Sequence, residues 1–312
     1  MIRRIQDVMS WMGRRKAFRE MRAAQREDEY QVQKHNEYLY RQHLDHLLDN
    51  GRVALSAGRL DDALMAWANV RMRFPDARDA YVLPLAALLD AGRLDEAELL
   101  AASGRERFPG NLVFAVQHAQ AARLRGATEE ALKRWETVRH QFPASQSGFV
   151  HGAVTYAEAG RIQDAEELVE KAMDLFASDP GPFIVHAQLA QRRRNLPAAL
   201  DRWDLVRQRF PSSIEWVIGL ARCLREMKRL DQLDALLVEA KDAFANEPWF
   251  CVEYATVAHD RGELGEAKAR WDWVIGRFPS SLEARRGASR TLAAIGNHQE
   301  AEGLLRPTAR PQ

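Results

Sequence analysis

Phenylalanine recurs along this chain at every thirty-fourth position. The seven positions are Phe74, Phe108, Phe142, Phe176, Phe210, Phe244 and Phe278. A fixed period of this length predicts an array of similar units, because each unit must stack on its neighbours to bury its apolar side. This period constrains the fold more strongly than any other feature of the sequence.

Other residues keep the same interval and indicate what each unit contains. Glycine falls on it at Gly58, Gly92, Gly126, Gly160, Gly262 and Gly296, and Arg194 and Lys228 fill the two gaps. Alanine follows at the fifth position after it in all units except one, which has Leu233. Proline follows the phenylalanine directly or at the fourth position after it. Glycine permits a left-handed turn and proline cannot continue a helix, so the pattern predicts two helices per unit.

These motifs resemble the tetratricopeptide repeat. The residues that carry the resemblance are Gly58, Ala63, Trp67 and Pro75, and again Gly126, Ala131, Trp135 and Pro143. The resemblance implies an all-α, right-handed superhelical solenoid of antiparallel helix hairpins. It places about eight 34-residue repeats at residues 44–77, 78–111, 112–145, 146–179, 180–213, 214–247, 248–281 and 282–306. Residues 1–43 then form an N-terminal arm, and residues 307–312 form a tail.

A second period, twice as long, lies over the first. It is marked by Trp67, Trp135, Trp203 and Trp271. Repeats with and without tryptophan therefore alternate. Their spacing favours a structural role in packing between consecutive hairpins over a role as ligand platforms.

The composition and the motifs give no indication of catalysis. The sequence contains no nucleophile elbow, phosphate-binding loop, paired-histidine zinc motif or C-x-x-C. We therefore expect no enzyme activity, no cofactor and no metal site. Cys223 and Cys251 are too few for a disulfide framework and fit a reducing compartment. No long apolar run is present, and we expect a cytoplasmic protein.

The resemblance also implies a binding groove on the concave face, lined by the first helix of each hairpin. Its fifth position forms an apolar stripe: Leu48, Val82, Val116, Val150, Ile184, Ile218 and Val252. A polar, net basic band accompanies it: Gln120, Arg123, Gln188, Gln191, Arg192, Arg222, Arg225 and His259. The stripe is either buried between hairpins or the floor for a bound segment. The band is either solvated surface or a site for an acidic peptide, a terminal carboxylate or an anionic glycan.

The N-terminal arm differs from the remainder in charge. Residues 1–26 contain eight basic and two acidic side chains, a net charge of +6 against −5 for the rest. The residues that stand out are Arg3, Arg4, Trp11, Arg14, Arg15 and Lys16. We expect a basic amphipathic helix that caps or joins copies of the chain, docks on a partner, or lies on the inner face of a membrane. Nucleic acid is not an expected partner, because the basic patch is small and lacks a recognised module.

Together these features favour a non-catalytic adaptor that binds a peptide or helix of another protein. Two alternatives stay open: a structural protein that self-assembles through its arm and C-terminal end, and an accessory subunit of an enzyme on another chain. The alternating RW and FP motifs resemble repeats found beside polysaccharide-handling and glycosyl-transfer enzymes in bacteria. That resemblance suggests an assembly of the bacterial envelope as the context.

Overall fold

The computed structural model describes residues 30–31, 34–35 and 38–305. Within them the chain forms sixteen α-helices and no strand, which confirms the predicted all-α fold of helix hairpins. Helix α1 covers residues 38–56. The others are α2 (Leu60–Arg73), α3 (Asp79–Asp90), α4 (Leu94–Arg107), α5 (Leu112–Leu124), α6 (Thr128–Gln141), α7 (Ser147–Glu158), α8 (Ile162–Leu175), α9 (Pro180–Arg192), α10 (Leu196–Arg209), α11 (Glu215–Glu226), α12 (Leu230–Phe244), α13 (Pro248–Asp260), α14 (Leu264–Arg277), α15 (Leu282–Ile295) and α16 (His298–Leu305).

Inter-residue contacts divide the chain into two compact units, with the boundary after Ala127 in the turn between α5 and α6. In the first unit α3 packs against α2, α4 and α5. In the second unit each helix from α6 to α16 packs on the next, and α9 also contacts α7 and α11. The division into arm, solenoid and tail stays a prediction. Helix α1 runs without a break across residue 44, where the first repeat is expected to begin.

The turn inside each hairpin has a left-handed residue, as the glycine spacing indicates. The six glycines at this position have φ between 71° and 94°. Arg194 and Lys228, which replace glycine in two repeats, also have positive φ, at 55° and 58°. The hairpin register therefore imposes this backbone conformation even where the side chain disfavours it.

The phenylalanine at the end of a second helix contacts the first helix of the same hairpin. Phe74, Phe108 and Phe210 each follow the last helical residue, and their N–H groups donate to the carbonyls of Val70, Gly104 and Val206. The ring then contacts an aromatic side chain of a first helix, such as Tyr81 with Phe108 at 5.5 Å between centroids. Pro180 and Pro248 are the first residues of α9 and α13, where the missing N–H costs no helical hydrogen bond.

Candidate functional site

The four tryptophans of the longer period lie in the core. Trp67 and Trp135 are fully buried, and Trp203 and Trp271 are almost so. The indole of Trp135 donates to Thr155 Oγ1 at 3.0 Å and stacks on the ring of His151. These side chains are not available to a ligand, and the interpretation as packing residues agrees with their burial.

Trp203 and Trp271 pack so closely on the next first helix that only glycine fits there. A Cβ added at Gly219 would lie 2.0 Å from Trp203 Cε2, and one at Gly287 would lie 2.3 Å from Trp271 Cζ2. Each glycine belongs to the helix that follows its tryptophan in the chain, α11 after α10 and α15 after α14. The tryptophan therefore fixes the distance between consecutive hairpins in this part of the second unit.

An arginine beside the tryptophan, partly buried at Arg202 and buried at Arg270, joins hairpins in the second unit. Arg202 Nη1 donates to Glu166 Oε1 at 3.0 Å and to the carbonyl of His186 at 2.8 Å, and Arg193 Nη2 reaches Glu166 Oε2 at 2.7 Å. The same arrangement recurs in the next pair of repeats, with Arg270, Asp234, Arg261 and the carbonyl of Tyr254. Each carboxylate is shared by two arginines, so all four guanidinium groups are already engaged in ion pairs.

Three residues of the predicted polar band join adjacent first helices. Gln191 Nε2 donates to Gly219 O at 3.4 Å and to Cys223 Sγ at 3.1 Å. Arg225 forms ion pairs with Glu253 (2.6 Å) and Asp260. His259 Nδ1 lies 3.0 Å from Thr291 Oγ1. We call Gln191, Arg225 and His259 the seam row. Their polar atoms are already used between helices, and their predicted role in binding is left as a prediction.

Three other members of the band are exposed on the same helices. Gln188 and Arg192 lie one turn apart on α9, and Arg222 takes the position on α11 that Gln188 takes on α9. None of the three forms a hydrogen bond or ion pair within the described residues. Unpaired guanidinium groups on one face leave a positive potential that an anionic partner can neutralise.

The structure adds two arginines that the sequence interpretation missed. Arg286 and Arg290 of α15 are exposed and form no ion pair or hydrogen bond within the described part of the chain. They take the positions that Val252 and Thr256 occupy in the preceding repeat, so the repeat register alone could have identified them. We call Arg192, Arg222, Arg286 and Arg290 the basic row.

The apolar stripe borders this surface. Its members in the second unit are Val150, Ile184, Ile218 and Val252, and all four are partly exposed. Trp249 of α13, which is 41% exposed, lies on the same helix as Val252 and one turn before it. In the first unit Leu48 is buried, whereas Val82 and Val116 are partly exposed. The stripe thus combines packing between hairpins with an accessible apolar surface.

The remaining predicted band residues lie in the first unit. Arg123 Nε donates to Gln120 Oε1 at 3.1 Å within α5, and both side chains are partly buried. The first helices of this unit lack an unpaired counterpart of the basic row: α3 has Val82, Ala86 and Asp90 at the corresponding positions, and Arg52 of α1 is paired with Asp49. The exposed basic surface therefore belongs to the second unit.

His118, His186 and the two cysteines lie among other residues of the fold. Burial, together with the charge of Arg202, lowers the pKa of His186 to about 4. His118 Nδ1 lies 2.9 Å from Arg105 Nη1. Cys223 and Cys251 are buried free thiols, and burial raises the pKa of both. Across residues 30–31, 34–35 and 38–305, no group of three or more potential ligands could hold a metal ion.

Residues 1–29 of the N-terminal arm lie outside the described residues. This applies to Arg3, Arg4, Trp11, Arg14, Arg15 and Lys16. Their predicted roles in capping, partner docking or membrane contact stay predictions. Among the helices that are described, none has the length and apolar character needed to cross a membrane.

Comparisons with known proteins agree with the hairpin geometry. The tetratricopeptide-repeat family model matches residues 48–111 and 255–311. A tetratricopeptide repeat protein from Parabacteroides merdae is 15% identical, with a TM-score of 0.51, over 80% of this chain and 99% of that chain. TTC0263 from Thermus thermophilus is 20% identical, with a TM-score of 0.47, over 58% of this chain and 98% of that chain. No curated protein matches the sequence.

The hairpins, their stacking and the repeat register define a helical repeat protein without a catalytic constellation in its described residues. Two regions of the chain match the tetratricopeptide-repeat model, and its fold is similar to that of tetratricopeptide-repeat proteins. Its fold is that of a protein–protein interaction scaffold, and the family is in general not enzymatic.

Proposed function

We propose that the second unit binds an extended, acidic segment of another protein on the surface of its first helices. The observation that carries this proposal is the basic row: Arg192, Arg222, Arg286 and Arg290 are exposed and lack an ion-pair partner among the described residues. Neighbouring cations elsewhere in the unit, such as Arg225 and Arg261, are paired with carboxylates.

The spacing of the helices matches that of an extended chain. Packed helices lie about 8–10 Å apart, and three residues of extended chain span about 10 Å. A segment that crosses the first helices therefore advances about three residues per hairpin. Acidic residues about six apart would reach Arg222 and Arg290, which lie two hairpins apart, and apolar residues between them would contact Ile218, Val252 and Trp249.

Arginine suits this role because its planar guanidinium forms two parallel hydrogen bonds to one carboxylate. The neighbouring Gln188 can pair with the peptide backbone of the segment. The partly exposed stripe adds apolar contact without requiring a deep pocket. Affinity should consequently fall as the salt concentration rises, since these charges are exposed to solvent.

The test is affinity capture from a lysate with a charge-matched pair of variants. In the first, Arg192, Arg222, Arg286 and Arg290 are changed to Gln. In the second, four exposed cations of the same unit are changed to Gln: Lys133, Lys171, Lys228 and Arg229. We expect one partner to bind the intact chain and the second variant and to be lost from the first. Equal capture by all three proteins would contradict the proposal.

Light scattering on the intact chain tests the self-assembly alternative. A concentration-independent monomer that retains the partner supports an adaptor. A partner that proves to be an enzyme would place the chain as its accessory subunit, and an enzyme that handles polysaccharide would support the envelope context.

A further inference from the structure

A second accessible site lies in the first unit, on the side of the second helices. A cavity of about 340 Å³ opens between α2 and α4. It is lined by Leu64 and Arg71 of α2, Pro84 and Leu88 of α3, and Glu96, Leu99, Leu100 and Ser103 of α4. The lining residues Leu64 and Arg71 are two helical turns apart on α2. We call this cavity the α2/α4 groove.

The rim of the α2/α4 groove is unusually apolar for an exposed surface. Leu99 on α4 lines the groove and is 73% exposed, and Leu64, Leu88 and Leu100 line it as well. Exposed apolar side chains that cluster are typical of interaction sites.

The grooves at equivalent positions in the second unit have a less apolar rim. Position 99 corresponds there to Glu167, Ala235 and Gly303. Ion pairs also cross two of these grooves: Arg207 with Glu239 at 3.3 Å and Lys268 with Glu300 at 4.0 Å. The apolar rim is therefore specific to the first repeat pair and is not a property of the repeat.

Arg71 gives the α2/α4 groove a positive charge, whereas the carboxylate that lines the groove, Glu96, is already bonded to Arg93. Pro84 has no N–H to donate to the carbonyl of Ala80, and Arg71 Nη1 donates to that carbonyl instead, at 2.7 Å. The side chain is half-buried, and burial lowers its pKa. Among the described residues no carboxylate forms an ion pair with Arg71. Its remaining N–H groups are consequently suited to a carboxylate supplied from outside.

We propose that the α2/α4 groove docks an amphipathic helix of another protein. The helix inserts a leucine, methionine or phenylalanine between Leu64 and Leu99 and places an aspartate or glutamate beside Arg71. Two turns of an α-helix span about 11 Å, which matches the separation of Leu64 and Arg71 along α2. Apolar anchors three, four and seven positions apart are the pattern by which helices bind such grooves.

This proposal is independent of the basic row, which lies in the other unit. The probe is a phage-displayed library of random peptides of about 15 residues, long enough for about four helical turns, selected on the intact full-length chain. We expect enriched peptides with apolar residues at i, i+3 or i+4, and i+7, and with an acidic residue next to one of them. Each selected peptide is then synthesised and its affinity measured by fluorescence polarisation.

Two variants with matched controls test the contacts. Leu99→Glu installs the residue found at the equivalent position 167, and Leu175→Glu places the same charge at an exposed leucine of α8. Arg71→Gln removes the charge but keeps a donor for Ala80, and Arg139→Gln does the same at the equivalent arginine, which donates to Gly148 O. We expect about tenfold weaker binding for Leu99→Glu and for Arg71→Gln, and none of this loss for the controls.

Three results would overturn the proposal: no enrichment that depends on Leu99, peptides without acidic residues, or equal binding by Arg71→Gln. Sedimentation of the intact chain and of the Leu99→Glu variant tests whether a second copy of the chain occupies the α2/α4 groove. A dimer that dissociates in Leu99→Glu would assign the groove to a second copy of the chain and would also overturn the partner helix. Thermal melts of all four variants show whether a loss of binding accompanies a loss of folding.

Discussion

The seam row and the basic row share helices α9 and α11 and differ completely in what they contact there. Gln188 and Gln191 lie nearly one turn apart on α9, and Arg222 and Arg225 have the same spacing on α11. Gln191 and Arg225 are bonded to the next first helix, whereas Gln188 and Arg222 face solvent without a partner among the described residues. Residue type is thus a poor guide to binding in this array, and the position relative to the neighbouring helix decides.

The comparison of the seam row with the basic row separates residues expected to stabilise the fold from residues expected to bind a partner. Changes on the seam side should lower the free energy of unfolding, because each seam side chain has partners on a second hairpin. Changes on the exposed side should leave that free energy almost unchanged and alter only the affinity for a partner. We expect the difference in the free energy of unfolding to be largest for the tryptophans and smallest for the two arginines of α11.

Tryptophan provides the largest contrast. Trp203 is buried in the seam, and Trp249 is 41% exposed on α13. We expect Trp203→Ala to lower the free energy of unfolding by about 3–5 kcal/mol and Trp249→Ala by about 1 kcal/mol or less. Urea unfolding followed by circular dichroism measures both. Similar losses in the two variants would show that the seam is not the main source of stability.

Glycine tests how tightly the seam is packed. Gly219→Ala places a Cβ 2.0 Å from Trp203 Cε2, whereas a Cβ at Gly265 meets nothing within 4 Å. The first change should destabilise the protein by about 1–3 kcal/mol through overpacking. The second should leave stability unchanged or raise it by up to about 1 kcal/mol, since alanine favours a helix. A Gly219→Ala protein as stable as the parent would contradict the close contact.

The sequence predicted the parts of this structure that follow from register alone. The repeat period placed the left-handed turns, and it did so even at Arg194 and Lys228, where residue preference alone would place no such turn. It also predicted the burial of Trp67 and its equivalents. These features depend on contacts that every hairpin repeats.

The sequence could not predict which residues of the polar band bond to a neighbouring helix and which face solvent. Positions i and i+3 on a helix differ by about 60° in direction, so both fit the same exposed face of an isolated helix. Whether Arg225 or Arg222 meets a partner depends on Glu253 and Asp260, which belong to the next hairpin. The α2/α4 groove was missed for a related reason: Leu64 of α2 and Leu99 of α4 come together only through packing.

Acidification should lower the free energy of unfolding through protonation of His186. Burial and the Arg202 charge hold the pKa of His186 at about 4, below the value of about 6.5 in an unfolded chain. Protonation therefore favours the unfolded chain, so this contribution is complete above about pH 6.5 and is lost as the pH falls towards about 4. The ring is partly exposed to solvent, which limits the loss to about 1 kcal/mol.

The measurement is urea unfolding between pH 7 and pH 4 for the parent, His186→Gln and His140→Gln. His140 is exposed on α6. We expect a smaller decline with acidity in His186→Gln and a parental decline in His140→Gln. If all three proteins lose the same stability, carboxylates and not His186 determine the acid response.

The smallest effect compares the two arginines of α11 directly. Arg225→Gln leaves Glu253 and Asp260 without their common partner, and we expect a loss of about 0.5–1 kcal/mol, because solvent screens a guanidinium that is about one-third exposed. Arg222→Gln should change the unfolding free energy by less than about 0.5 kcal/mol. Partner affinity should show the reverse order, with the larger loss in Arg222→Gln. Unfolding and binding measured on the same two proteins thus decide the assignment, and a variant that lowers both quantities equally would mean that the two rows are not functionally separate.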